Sequence, residues 1–443
     1  MNVSTRWVRG AVGLAVPLAL IIPMTATAAP DSPGNPRYAA GAEGAGDSYF
    51  PYSGNGGFDV QHYDLELTYT PPEPSPAELV GHLEGQATIR LEATQDLDRF
   101  QLDLRGLDVS AVTVDGKSLK DLGTPDSTVR KPGYWHVQDD DARIWELVIQ
   151  PRPKLKTGDV VDVVIDYAGQ TGRPTDVEDA LYGWVTTRDG AMVVGEPEGN
   201  MTWYPVSDHP TDKATYSFEI TVPEGSVAVA NGLQDRPEVT AAGWTTWYWN
   251  APDPQASYLT TASVGNFDLR YSETADGLPI VDAVDLDVTG TRLTSTNASL
   301  ALQPAMIDFF TSQFGLYPFV AYGSIVDDDS VGYALETQTR PVYSRSAGEG
   351  TVAHELAHQW FGNAVSPSLW ADIWLNEGWA TYASWMWAEQ QGGASTQARF
   401  DNVMAISDTS SFWSLPIGDP GPMGLFASAV YNRGAATLHA LRV

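Results

Sequence analysis

His354-Glu355-Leu356-Ala357-His358, followed after eighteen intervening residues by Glu377 in Trp374-Leu375-Asn376-Glu377-Gly378-Trp379-Ala380, is the stretch that decides how this chain is read. Two histidines four residues apart fall on one face of a helix, so both imidazoles can reach a single ion. The pattern predicts a helix over residues 351–361, stopped by Gly362. A second is predicted over residues 377–391, stopped by Gly392-Gly393.

His-Glu-x-x-His is the donor spacing of a catalytic Zn2+ site, which holds one ion through three protein ligands and keeps a position open for water. His354 and His358 supply two ligands. Glu377 supplies the third, because a helix, a turn and an antiparallel helix bring its carboxylate back opposite the imidazoles. Glu355, one residue out of phase, sits beside the ion, where a general base takes a proton from water. The other histidines, His62, His82, His136, His209 and His439, have no such partners and read as structural.

Working outward, residues 58–270 read as β structure. Val60-Gln61-His62-Tyr63-Asp64-Leu65-Glu66-Leu67 and Ala87-Thr88-Ile89-Arg90-Leu91-Glu92 alternate, with Pro, Gly and Asp turns between strands. After Tyr271 the texture becomes mixed. Leu300, Met306, Phe309, Phe310 and Phe314 recur at helical spacing, with a kink expected at Pro304, and short strands are predicted at 324–326 and 333–339. The fold class expected is multidomain, a mostly antiparallel N-terminal β domain over 58–270 followed by an α+β catalytic domain over 271–443.

The chain has 443 residues, 43 % of them hydrophobic, and a formal net charge of −31. That balance excludes a disordered chain, and the acidity argues against nucleic acid or an anionic membrane as partner. Residues 1–28 read as a signal peptide: Arg6 and Arg9, an apolar run from Ala11 to Ile22, then Ala26-Thr27-Ala28. Secretion is expected, without a stable membrane anchor, and residues 29–57 read as a loose mature N-terminus. There is no cysteine, hence no disulfide.

Further phrases flank the zinc helix. Trp360-Phe361-Gly362-Asn363 follows it, and Val331-Gly332-Tyr333-Ala334-Leu335-Glu336-Thr337-Gln338 precedes it. Glu196-Pro197, Tyr204-Pro205 and Asp208-His209-Pro210 lie in the β region, and Val430-Tyr431-Asn432-Arg433-Gly434-Ala435 near the end. On these residues the chain resembles the aminopeptidase N type of gluzincin zinc metallopeptidases, from about Asp59 to its last residue. Glu336 stands where that family carries its Gly-x-Met-Glu-Asn exopeptidase element on an edge strand. Tyr333, Leu335 and Thr337 replace the first Gly, the Met and the Asn.

The resemblance implies a saddle-like β domain, a thermolysin-like catalytic domain and one Zn2+. It further implies removal of N-terminal residues from peptides with a free amine. Glu336 and Glu196 would bind the substrate ammonium, and Tyr431 would be catalytic. Asp208 and Lys213 read as structural, Trp374, Trp379, Trp385 and Trp387 as core, and Asp372 as either an imidazole-orienting group or a turn residue. Asp327-Asp328-Asp329 reads as a solvated acidic turn rather than a calcium loop. The catalytic domain reads as short, because an apolar helical pattern starting at Ala435 ends at Val443 and is expected to leave its packing face exposed. A partner or oligomer covering that face is therefore one expectation. Two rival readings stand beside the aminopeptidase: a truncated fragment that binds peptide or a partner with little or no turnover, and a zinc endopeptidase.

Overall fold

In the strand Phe58–Thr70 the inward residues are Val60, then Tyr63, Leu65, Leu67 and Tyr69, all buried. The register shift between Val60 and His62 switches the inward set from even to odd positions, as one extra residue in a period-two strand must. The protein is described by a computed structural model covering residues 38–73, 78–123 and 131–443; the expected signal peptide lies outside the described residues.

That strand is central to an eight-stranded sheet, ordered Leu233–Ala241, Trp244–Ala256, Lys213–Pro223, Phe58–Thr70, Gly81–Ala93, Val160–Thr171, Asp108–Val114 and Lys117–Ser118. Its pairings are antiparallel except Lys213–Pro223 with Phe58–Thr70. Two four-stranded sheets complete the β-rich part, one of them formed by Gly183–Thr186, Ala191–Val194, Ala262–Gly265 and Val227–Ala230. Their inner faces share one large core that includes Trp184, Trp203 and Trp249.

The catalytic part is built on a five-stranded mixed sheet of Phe267–Glu273, Pro279–Asp285, Tyr322–Asp327, Val342–Ser344 and Ala334–Leu335. Around it lie α1 (Gly290–Leu300), α2 (Gln303–Phe314), α3 (Glu349–His358), α4 (Trp374–Gln390), α5 (Thr396–Met404) and α6 (Ser428–Arg442). Pro304 opens α2 instead of kinking one long helix. A first-turn residue has no intrahelical N–H bond to lose, so proline is tolerated there. Gly315, at φ +97°, ends α2 in a conformation that favours glycine.

Three expectations meet a different structure. The segment expected to be loose is packed from Tyr38 onward. Phe50 is buried edge-on against Trp370, and buried Asp47 accepts the Trp370 amide at 2.7 Å. The expected boundary after Arg270 falls inside Phe267–Glu273, which is bonded along its whole length to Pro279–Asp285 in the catalytic sheet. The apolar face of α6 is covered within the chain: Ala435, Ala436 and Leu438 pack with Tyr382, Trp385, Met386 and Val403 of α4 and α5, while Leu441 remains exposed.

Candidate metal centre and peptide cleft

Helix α3 ends at His358 and α4 starts at Trp374, so the donor residues lie on two packed helices. His354 Nε2 lies 3.1 Å from Glu377 Oε2 and 3.1 Å from His358 Nε2, and His358 Nε2 lies 3.5 Å from Glu377 Oε2. Ligands held tetrahedrally about 2.05 Å from zinc are about 3.3 Å apart, so the three donor atoms already span one zinc coordination face. His358 Nδ1 donates to the Phe361 carbonyl at 3.0 Å, which leaves the lone pair on Nε2, toward the other donors. Asp372 takes the turn role. It lies in the 3-10 turn Trp370–Asp372 before α4, and the His358 ring is oriented by a backbone carbonyl instead.

The cleft over these donors has a volume of about 310 Å3 and is lined by Glu196, Glu336, Glu355, Glu377, Tyr431 and the two histidines. All four carboxylates are buried. Burial raises the Glu355 and Glu196 carboxyls well above the usual range, and raises Glu336 against the opposing pull of His358. Glu377 goes the other way: burial would raise it, but His358 and the bonds from both imidazoles hold it down at about 2. Burial disfavours charge on His358, yet Glu336 and Glu377 outweigh it and push its pKa to about 10. This field calls for positive charge at the point where the three donors meet, which a divalent cation meets and a neutral occupant does not.

Glu336 is held by the residues that directly follow α3. Glu336 follows the edge strand Ala334–Leu335, and its carbonyl accepts Gln359 Nε2 at 3.2 Å and Asn363 Nδ2 at 2.8 Å. The carboxylate atoms Glu336 Oε1 and Glu196 Oε1 are buried and accept no hydrogen bond from the described residues, though Glu336 Oε1 lies 3.8 Å from His358 Nδ1. Lys213 Nζ donates to the Asn363 carbonyl at 2.7 Å, and Tyr258 Oη donates to the Gly362 carbonyl at 3.2 Å, so the β part braces the end of α3. Asp208 is likewise internal, accepting the Met201 amide at 2.9 Å.

Tyr431 stacks near-parallel on His354, ring centroids 5.9 Å apart. Burial, then the carboxylates led by Glu377, raise its hydroxyl well above the ordinary range and keep it a proton-bearing donor. Its position depends on α6 meeting α4 closely. A Cβ built on Gly434 would lie 2.9 Å from Gly378 Cα and 3.2 Å from the Trp374 carbonyl oxygen.

All seven sequence-derived site residues thus line one cleft. Sequence reasoning missed Asp176, Glu178, Ala180, Thr351 and Phe426 in its wall, and left Tyr333 as a mere replacement. Tyr333 donates its hydroxyl to the Leu181 carbonyl at 2.6 Å, tying the edge strand's approach to the β part. Most of these residues lie in loops, where no periodicity marks the side chain that faces the cleft. Asp327 departs from the solvated-turn reading: it is fully buried, because it closes a central strand of the catalytic sheet.

A two-histidine, one-glutamate centre in a peptide-sized cleft, between a β-rich part and a mixed α/β part, defines a zinc metallopeptidase. The Peptidase M1 N-terminal domain matches residues 60–259 and the Peptidase family M1 domain matches residues 330–443; the chain belongs to peptidase family M1. Among solved structures it resembles a mutant M1 zinc metallopeptidase from Deinococcus radiodurans bound to a Tyr-Ser-Ala substrate. Identity is 30 % and the TM-score 0.77, over 90 % of this chain and 86 % of that one. Curated relatives include glutamyl aminopeptidase of Mus musculus, 26 % identical over 56 % of this chain and 28 % of that protein. Aminopeptidase N of the same organism is 27 % identical over 54 % and 28 %. The aligned region therefore spans about 28 % of the length of these relatives.

Proposed function

We propose that this protein is a secreted zinc aminopeptidase that hydrolyses the first peptide bond of peptides bearing a free N-terminus. The observation that carries this reading is the pair of buried carboxylate oxygens, Glu196 Oε1 and Glu336 Oε1, that accept no hydrogen bond from the described residues and belong to side chains lining the same cleft as the metal donors. A substrate ammonium entering a partly dry cleft needs such acceptors to offset the loss of water, and an internal peptide segment does not. Export is supported by the basic, apolar and small-residue succession of residues 1–28.

In this mechanism His354, His358 and Glu377 hold the ion. Bound zinc supplies Lewis acidity to the scissile carbonyl and acidity to a water. Glu355 accepts the proton of the attacking water and returns it to the leaving amine. Tyr431 donates a hydrogen bond to the carbonyl oxygen as negative charge develops there. Glu336 and Glu196 fix the ammonium, so the bond one residue away is the one presented.

The test is release of p-nitroaniline from aminoacyl anilides by purified, zinc-loaded protein. Activity is expected to vanish with a zinc chelator, to return with zinc, and to be lost when the substrate amine is acetylated. Equal cleavage of acetylated peptides would instead establish an endopeptidase. No cleavage at one zinc per chain would overturn the reading in favour of an inactive fragment.

A further inference from the structure

Away from the zinc cleft, three chain segments bring acidic side chains to one point. Asp189 lies in the turn between the strands Gly183–Thr186 and Ala191–Val194. Asp285 ends the strand Pro279–Asp285, and Asp328 follows Tyr322–Asp327, the parallel neighbour of that strand. One carboxylate oxygen from each of Asp189, Asp285 and Asp328 lies within 4.8 Å of the other two.

A second observation separates this cluster from an ordinary solvated acidic turn. Asp285 is 1 % exposed; its Oδ1 accepts the Asp287 amide at 2.7 Å, but its Oδ2 is buried and without any partner. Asp327, 0 % exposed, repeats the pattern, with Oδ1 on the Asp329 amide at 2.8 Å and Oδ2 unpartnered. Arg173, a cation close by, pairs with Asp329 at 3.7 Å rather than with any of these four. Burial first, then Asp189 and Asp328, push the Asp285 carboxyl up to about 7. Arg188 acts on Asp328 from a longer range, and no described cation lies within ion-pair distance of Asp189, Asp285, Asp327 or Asp328.

We propose that Asp189, Asp285 and Asp328, backed by Asp327, bind one calcium ion that ties the 183–194 hairpin to the ends of two catalytic-sheet strands. The donors are all oxygen, which selects a hard cation over zinc. Calcium takes oxygens at 2.3–2.6 Å, so its coordination sphere is about 4.6–5.2 Å across and accommodates oxygens within 4.8 Å of one another. The remaining ligands are backbone carbonyls or water, as calcium's flexible coordination allows. Asp189 comes from the β-rich part and the other three from the catalytic part, so the ion acts across the junction and stabilises the assembled protein.

The experiment uses zinc-loaded protein dialysed against calcium-free buffer and then titrated with calcium chloride, reading bound metal by elemental analysis and Tm by calorimetry. One calcium per chain beyond zinc is expected, with a Tm rise of roughly 2–5 °C at saturation, as a ligand bound only by the folded state produces. Asp285→Asn should abolish both the bound calcium and the Tm rise while zinc content stays at one. If Asp285→Asn does not fold, Asp328→Asn, at a half-buried position, is the variant measured. Wild-type protein that binds no calcium at millimolar concentration overturns the proposal. So does calcium that persists undiminished in the variant.

Discussion

Replacing Gly434 by alanine tests whether the close approach of α6 to α4 positions Tyr431, the proposed hydrogen-bond donor. The new Cβ would sit 2.9 Å from Gly378 Cα, about half an ångström inside the 3.4 Å at which ordinary contact begins. The obstacle is backbone, so no side chain can swing aside and the helices must separate. Overpacking of this kind costs about 1–3 kcal/mol of stability. Tyr431 lies one turn before Gly434 on α6, and Glu377 is adjacent to Gly378 on α4, so the displacement falls on the distance between the hydroxyl donor and the metal centre. Misplacement by about 1 Å can cost 10²-fold in rate, so half that shift should lower kcat by roughly tenfold or more. Tyr431→Phe, which removes one oxyanion donor, sets the floor at about 10²–10³. Anilide turnover gives kcat and KM separately, and calorimetry gives Tm. The loss should fall on kcat, because the donor acts on developing charge. Gly418→Ala, whose Cβ meets only Trp374 Nε1 at 3.9 Å, is the control. Full kcat with unchanged Tm in Gly434→Ala would refute the reasoning.

Glu355→Ala should retain one zinc by elemental analysis and lose roughly 10²–10⁴-fold in kcat, the usual loss on removing a general base. Glu336→Gln should raise KM for free-amine substrates and narrow their preference over acetylated ones, measured by competing the two in one assay. Asp47→Ala should destabilise the fold by about 1–3 kcal/mol in urea, since it strips the buried Trp370 amide of its acceptor. Burial works to raise the Asp47 carboxyl, but His209 and the Trp370 and Tyr49 amides outweigh it and hold it below its ordinary value of 3.8. A depressed native pKa gives stability that is full above the unfolded value and fades as pH falls through the native one. The urea midpoints of wild type and Asp47→Asn should therefore converge below about pH 4.

The metal triad was legible because its information is local. A four-residue spacing fixes two donors on one helix face, and a following helix supplies the third. Glu336, Glu196 and Tyr431 were legible only through resemblance, since they lie far apart in the chain and meet by tertiary packing. The segment 38–57 was misread because its Pro, Gly and Ala content hides several long-range ties, among them Asp47 to Trp370, 323 residues away, and the Gly54 amide to Asp103. Asp327 was misread for the converse reason: three consecutive aspartates look solvated, and only the sheet order shows that the first of them ends a buried strand. Gly378 and Gly434 read as weak helix formers, because nothing in either helix alone announces that the two backbones touch.

What distinguishes an exopeptidase from an endopeptidase on the same zinc helix is a distance. The ammonium site must stand one residue from the scissile bond and must not drift. Here the ruler is short and internally braced. The residues just past His358 provide Gln359 and Asn363, whose side-chain amides hold the carbonyl of Glu336, while Gln359 Oε1 accepts the Thr339 amide at 2.8 Å on the far side of the same loop. These bonds tie Glu336, the proposed ammonium acceptor, to the segment that directly follows His358. Lys213 and Tyr258 fasten that segment to the β part, which carries Glu196. The replacements around Glu336, relative to the resembled motif, leave this brace intact, because it joins the backbone of Glu336 to side chains of the turn that follows α3. If the proposed aminopeptidase reading holds, selection of the chain end is a property of the segment that follows α3.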